Sequence, residues 1–506
     1  MDAVLRVRHL SDRACSEGGV LLAVSIDIAN AFNTIPWSTI VESLRFHRVP
    51  PSLRTLIEDY LSGRNVVFPE RRGWGRKAVS CGVPQGSVLG PLLWDIGFDW
   101  VLRGASLRGV DVVCYADDTL VTARGADYRA AAILATAAVS TVVSRIRRLG
   151  LEVALRKSEA VCFHPVRRGP PPGANLIVGG VSIAVQPKLK YLGLVLDSRW
   201  RFDHHFGELV PKLLGMAGAL ARLLPNVGGC SAGVRRLYLG VVRSMALYGA
   251  PVWSPALSAR NAALLLRAQR VLAVRVIRGY RTISREVACA LAGSLPWDLE
   301  AEVAAAVYRR RTQSLSRGRT PGPSAVGRWR RAARHLAYAK WRERLLEELG
   351  QTSVTRRRTL EALVPVLEAW SDRRHGVLSF HLTQVLSGHG CFGRYLWKVC
   401  RREPHPGCHQ CGHPDDDAQH ALEACPRWER SRRDLIAVLG RDLSLRAVVA
   451  RMLEDRNSWE AMTRFCDLVM AFREAEERER EWDPSSASQR RRRSGRHGRE
   501  APVHLP

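Results

Sequence analysis

The chain has 506 residues, 46% of them hydrophobic, and its 77 Lys and Arg against 48 Asp and Glu leave a net charge of +29. A chain of this length divides into about three or four domains, and no apolar run reaches the ~18–20 residues that span a bilayer, so a membrane is not an expected partner. The cationic surplus points to a polyanion, nucleic acid first; only seven of the 77 basic residues are Lys, an Arg bias that GC-rich coding can produce without explaining basic over acidic.

In chain order, "MDAVLRVRHLSDRACSEGG" has the marks of neither a signal nor a transit peptide, and a cytosolic or nuclear setting is the expectation. "VLLAVSIDI" (20–28) is a buried-strand pattern ending in an acid, and "WSTIVESLRFHRV" has helical spacing after Pro36. "DVVCYADDTLVTA" predicts a hairpin; "DYRAAAILATAAVSTVVSRIRRLGL" predicts a long helix stopped by Gly150. "SEAVCFHP" reads as a strand and "LIVGGVSIAV" as a second hairpin about Gly179-Gly180. Helices mixed with tight hairpins predict an α+β domain with an antiparallel sheet. From about 205 to 375 the pattern turns helical, interrupted at 309–334 by a basic, Gly/Pro/Ser-rich stretch that reads as a linker or flexible loop. The tail after about 478 is charged, then Arg-rich, and reads as disordered.

"CYADDTLV" (114–121) sets Asp117 and Asp118 side by side in an apolar run. Adjacent carboxylates repel and are costly to desolvate unless a cation or donors compensate. A polar hairpin turn is the plain explanation; a metal site at the hairpin tip is the functional one. Asp27 favours the second, because it too ends an apolar strand. Three carboxylates at strand ends can hold two divalent cations ~3.5–4 Å apart for phosphoryl transfer. In a regular strand Asp117 and Asp118 point to opposite faces, so Asp117 is the expected bridging ligand beside Asp27, with Asp118 behind it or reaching in through the turn. Between these acids, "CGVPQGSVLGPLLW" (81–94) has glycines and prolines that let the backbone approach a flat partner, with Gln85 and Ser87 offering hydrogen bonds.

In order and spacing, "SIDIANAFNTIPW", "GVPQGSVLGPLLW" and "CYADDTLV" resemble motifs A, B and C of the reverse transcriptases of non-LTR retrotransposons. "LRKSEAVCF" (155–163) resembles motif D, and "KLKYLGLVLDSRWRF" (188–202) the motif E hairpin. The resemblance implies a right-hand polymerase: a palm with partial fingers over 1–204 and a helical thumb or connection region over 205–375. It implies catalytic carboxylates at Asp27, Asp117 and Asp118, binding two Mg²⁺ ions. Phe32 then stands under the nucleotide sugar and favours dNTPs, Gln85 and Gly86 support the template base and incoming nucleotide, and Lys157 protonates the leaving pyrophosphate. Asn33 occupies a position where many relatives carry Asp. Only 26 residues precede Asp27, so most of the fingers and any upstream endonuclease are expected to lie in a longer polyprotein.

The twelve cysteines are too sparse for a disulfide scaffold, but five crowd into 391–425. "CHQCGHPDDDAQHALEACP" spaces Cys408, Cys411, His420 and Cys425 as a closed tetrahedral zinc site, against the alternative of buried, unligated cysteines; His409, His413 or Cys400 are possible substitutes for one ligand. With the preceding "LTQVLSGHGCFGRYLWKV", this box resembles the C-terminal region of insect type-1 retrotransposable elements, the ribosomal-DNA-inserted and jockey-like group. A small zinc-binding module is expected over 376–430, of which residues 385–430 fold only with one structural Zn²⁺, with Arg394, Lys398, Arg401, Arg402, Arg427 and Arg430 as a basic rim. A helical segment over 431–477 and a disordered basic tail over 478–506 would follow.

The leading expectation is an RNA-directed DNA polymerase that copies element RNA at a nicked genomic target. Its partners would be the RNA template, a DNA primer or target, and dNTPs. It would act in the nucleus after a cytoplasmic ribonucleoprotein stage. The rival is a decayed or domesticated nucleic-acid-binding remnant, against which the intact Asp27, Asp117, Asp118, Gln85 and Lys157 count. An RNA-copying RNA polymerase is disfavoured by Phe32.

Overall fold

The computed structural model describes residues 1–482 apart from 72, 104–106, 167 and 351–353. The chain forms two compact units, Met1–Gly207 and the part from Glu208 onward.

In the first unit the described strands are β1 (Val20–Ile26), β2 (Asn65–Glu70), β3 (Gly73–Ala78), β4 (Val110–Tyr115), β5 (Asp118–Gly125), β6 (Glu159–Phe163), β7 (Asn175–Val178), β8 (Val181–Gln186), β9 (Lys188–Tyr191) and β10 (Leu194–Asp197). Six of them make one sheet in the order β4-β5-β1-β6-β8-β7. All its pairings are antiparallel except β6 with β8. The central place of β1 explains its sequence. Val20, Leu22, Val24 and Ile26 join the main core while Leu21 and Ala23 between them are buried as well, so both faces are covered and the run reads apolar throughout. The β7–β8 hairpin turns at Gly179 and Gly180, whose φ of 54° and 80° meet the needs of a two-residue turn.

Two helices cover this sheet. Tyr128–Arg148 starts at Asp127, whose carboxylate accepts from the Ala130 amide at 2.8 Å, and ends before Gly150 at φ 78°. Contrary to the sequence expectation, this helix is long and apolar enough to cross a membrane. Alanines carry that apolarity, and Ala131, Ala135, Val139, Val142 and Ile146 are packed in the core with the sheet. The second helix, Asp2–Ser16, buries Val4, Val7, Ser11 and Ala14. It is tied down by an Arg6–Asp111 ion pair at 2.9 Å and by the Trp200 indole donating to Ser11 Oγ at 2.8 Å.

The second unit is helical. Its core runs from Ala273 to Met470 and includes Cys408, Cys425 and Trp428. The linker expected at 309–334 is instead a turn between two long helices, Trp297–Ser316 and Pro323–Leu349. Gly318 at φ 70° and Gly322 break the chain, Pro323 opens the next helix, and its basic side chains Arg328, Arg330 and Arg331 face solvent while Ala337, Tyr338, Trp341 and Leu345 go inward. Basic composition there marks a wet helix face rather than a loop.

The segment 376–430 does not stand apart either. It shares its core with helices Glu429–Leu439, Leu445–Glu454 and Arg456–Trp482. The last of these overruns the expected start of the tail at 478; residues 483–506 lie outside the described residues.

Candidate active site and candidate metal centre

Asp27 is the first residue past β1. Its carbonyl accepts from the Ala154 amide at 2.9 Å, and the neighbouring Ala29 amide donates to the Glu152 carbonyl at 2.9 Å. These bonds dock residues 152–157 beside Asp27 and place Lys157, at the end of a short 3₁₀ turn, with Nζ 3.7 Å from Asp27 Oδ2. Asp27 and Lys157 side chains are both substantially open to solvent, so a ligand can reach them.

β4 and β5 meet in a two-residue turn. Tyr115 pairs with Asp118, leaving Ala116 and Asp117 as the turn, and Ala116 takes a φ of 54°. A left-handed Ala is a strained choice where Gly is available, the sort of strain that collects at functional sites. Strand alternation therefore does not govern this pair: Asp117 lies in the turn and Asp118 opens β5. Burial, then the charges of Asp117 and Asp27, hold the Asp118 carboxyl above its usual value. The three acids thus share one electrostatic site at the ends of adjacent strands. Below them, burial pushes the Tyr191 phenol up, with Cys114 and Asp118 adding to it, and its hydroxyl has no partner among the described residues. Nothing in the spacing of "KLKYLGLVLD" singled this tyrosine out.

Phe32 stacks on Trp94 with centroids 4.8 Å apart, and Trp94 stacks in turn on Phe98 at 5.1 Å. The Phe32 carbonyl accepts from the Val83 amide at 2.7 Å, and the Ile35 carbonyl from Gly82 at 2.7 Å, so the 81–90 loop is stitched onto the turn after Asp27. Gly82 is required there: at φ 85°, a Cβ would sit 2.6 Å from the Asn33 carbonyl oxygen. Beyond the stitch, Gln85 and Gly86 are exposed, with Gly86 at φ 82°. Asn33 is also exposed, and its side-chain amide donates to Asn30 Oδ1 at 2.7 Å.

In the second unit Cys408, Cys411, His420 and Cys425 converge, their ligand atoms all within 4.8 Å of one another. Tetrahedral zinc with Zn–S bonds of about 2.3 Å would space its ligands roughly 3.8 Å apart, so the set fits. Cys411 Sγ is 3.3 Å from His420 Nε2. A tight turn carries the Cys-x2-Cys pair, closed by the Gly412 amide on the Cys408 carbonyl at 2.9 Å with Gly412 at φ 74°. The hydrogen bond between Cys408 and Cys425 draws the Cys408 thiol down and raises that of Cys425. The substitutes are engaged elsewhere: His409 bonds Glu403 at 2.9 Å, His413 bonds the Asp415 carbonyl at 2.9 Å, and Cys400 lies beside Tyr395.

A residue pair that the spacing did not reveal holds this loop. Arg473 meets Asp416 at 2.8 Å with both side chains almost fully buried, and Asp416 also accepts from the Gly393 amide at 2.8 Å. The expected basic rim is smaller than its residue count. Arg394 is bound to Asp415 and Asp417, Arg402 to Glu481, and Arg427 lies over the Phe472 ring.

Residues 3–196 match the family described as reverse transcriptase (RNA-dependent DNA polymerase). The chain is 28% identical over 445 residues to a Retrovirus-related Pol polyprotein from type-1 retrotransposable element R1 of Bradysia coprophila, covering 84% of this chain and 42% of that one. It is 28% identical over 487 residues to a putative 115 kDa protein in type-1 retrotransposable element R1DM of Drosophila melanogaster, covering 92% and 45% respectively. The chain therefore spans less than half the length of these two relatives. Among solved structures, a telomerase from Candida tropicalis with a fragment of telomeric RNA aligns over 62% of this chain and 51% of its own, at a TM-score of 0.31 and 12% identity.

Proposed function

We propose that residues 3–196, which match the reverse transcriptase family, are a reverse transcriptase domain of the non-LTR retrotransposon type, and that the chain is the polymerase-bearing part of an element protein that copies RNA into DNA. The observation that carries this is the meeting of Asp27, Asp117 and Asp118 at neighbouring strand ends with Lys157 3.7 Å from Asp27. In this reading the first unit is a palm with partial fingers, and the helices after Glu208 supply a thumb. Asp27 and Asp117 would hold two Mg²⁺ ions, which would supply activation of a primer 3′-hydroxyl and neutralisation of the triphosphate. Asp118, electrostatically coupled to both, completes the negative field that retains them.

The other roles follow from placement. Lys157, oriented by Asp27, donates a proton to the departing pyrophosphate. Phe32, backed by the rigid Trp94–Phe98 stack, presents a hard wall to a 2′-hydroxyl and so selects dNTPs. Gln85 and Gly86, on a loop stitched to the Phe32 turn, line the path of template base and nucleotide. Cys408, Cys411, His420 and Cys425 would bind one structural Zn²⁺. The template is RNA, the primer a DNA end at the genomic target, and the site of action nuclear after a cytoplasmic ribonucleoprotein stage. Primer extension on an RNA template with dNTPs tests the reading: it should require Mg²⁺ and fail on omission of any templated dNTP.

A further inference from the structure

We propose that a cleft in the second unit, beside the Cys408–Cys425 cluster, binds single-stranded nucleic acid by stacking one base on Trp397. The inference rests on the reading that the protein handles nucleic acid, but concerns a surface remote in sequence from the carboxylates and unused by them.

The cleft has a volume of about 850 Å³, and Thr282, Ser284, Ser387, Trp397, Lys398 and Arg401 are among its walls. Trp397 is 43% exposed, whereas Trp297, Trp341, Trp370 and Trp459 in the same unit are buried. An indole left at a cleft wall offers a flat face, and base–aromatic stacking is worth about 1–3 kcal/mol per base. Trp397 and Lys398 sit on one π-helical turn, Leu396–Cys400, and Arg401 ends it at φ 54°. Irregular turns of this kind and left-handed non-glycine residues concentrate where a side chain must be aimed.

Charge agrees with the stacking face. The lining acids Asp415 and Asp417 are both taken by Arg394, so they cancel little else. Lys398 and Arg401 are exposed and have no carboxylate partner among the described residues, leaving two cations at the rim for phosphates. His389 is held by its Nδ1 to the Ser387 carbonyl at 2.8 Å and lies tilted against the Tyr395 ring at the cleft wall. A flat ring beside two cations at one cleft fits a nucleotide of an unpaired strand. A duplex, with its bases stacked inside, has no base to offer.

The test uses the full chain with zinc, without Mg²⁺ or dNTPs, so that binding is read apart from polymerisation. Labelled 20-mers of RNA, DNA of the same sequence, and the duplex are titrated by fluorescence anisotropy. An oligonucleotide carrying 5-iodouracil is photocrosslinked and the adduct mapped by mass spectrometry. The expected result is a crosslink at Trp397 and about tenfold weaker single-strand binding in Trp397→Ala. Trp397→Phe should recover most of the loss. Lys398→Gln with Arg401→Gln should lower the salt-dependence slope for a single strand by about 1.4. Whether RNA or DNA binds more tightly identifies the strand; either supports the cleft. Unchanged single-strand affinity in Trp397→Ala, no crosslink within 387–401, or a preference for duplex would overturn the proposal, whatever the outcome of the primer-extension assay.

Discussion

Lys157 Nζ lies 3.7 Å from Asp27 Oδ2, joining a residue that follows the first strand to one that precedes the sixth. With three-quarters of the Lys157 side chain exposed, this ion pair contributes little to stability. Its consequence is positional: an ammonium stands at the edge of the carboxylate site. Lys157→Ala should slow single-nucleotide incorporation by about 10²-fold, within the range for a lost general acid, while the melting temperature moves little. Rapid-quench measurement at saturating dNTP separates chemistry from binding. An unchanged rate would reduce Lys157 to a surface residue.

Phe32 owes its rigidity to the 4.8 Å stack on Trp94. In Phe32→Val the wall recedes, and rNTP incorporation relative to dNTP should rise by at least tenfold, with dNTP use changed modestly. Competition between dGTP and rGTP on one template reads the ratio directly. Equal discrimination in parent and mutant would make Phe32 a packing residue only.

How much of this was legible in the sequence depends on what each signal encodes. The strand "VLLAVSI", the Gly179-Gly180 hairpin and the helix after Asp127 were legible because burial period and turn chemistry are local. The Asp27, Asp117 and Asp118 convergence was legible only through ordered motifs, since no local rule tells that β1 and β5 are neighbours. Two readings failed for one reason. The 309–334 stretch and the 376–430 module were judged by composition, and composition does not register partners: the first contributes a helix whose inward residues are Ala337, Tyr338 and Trp341, and the second leans on a C-terminal helix through Asp416 and Arg473. The same applies to the helix Asp2–Ser16, whose inward face is only Val4, Val7, Ser11 and Ala14.

The shared core changes what zinc removal should do. One equivalent of zinc is expected in the purified full chain, and less than about 0.2 in Cys408→Ser. Because Cys408 and Cys425 belong to a core that extends to Met470, loss of the metal should loosen the second unit rather than melt 376–430 alone. Hydrogen exchange should rise across 393–430 and into 456–482, with the 20–163 sheet unaffected. Exchange confined to the loop 405–425 would contradict this coupling.

His381 links the same helix to its neighbour, with Nδ1 3.1 Å from Asp467 and Nε2 3.5 Å from Glu474. The hydrogen bonds to Asp467 and then Glu474 raise its pKa to about 9 against the burial that opposes them. A histidine raised in the fold binds more protons folded than unfolded. Its contribution is therefore complete below the unfolded value of about 6.5 and disappears as pH climbs through about 9. Urea midpoints should fall over that interval in the parent protein and flatten in His381→Gln. Parallel pH curves would show that His381 is not charged in the fold.

The central claim is that Asp27, Asp117 and Asp118 form one metal-dependent polymerase centre, and Asp117→Asn tests it most directly. Primer extension on an RNA template is measured with Mg²⁺ and dNTPs, both in this chain and in the chain joined to the preceding segment of the Bradysia coprophila relative. The account predicts Mg²⁺-dependent extension in the parent and a loss of several orders of magnitude in Asp117→Asn, with the fold and zinc content unchanged. Extension at near-parental rate in Asp117→Asn, or none from either parental form, would contradict it.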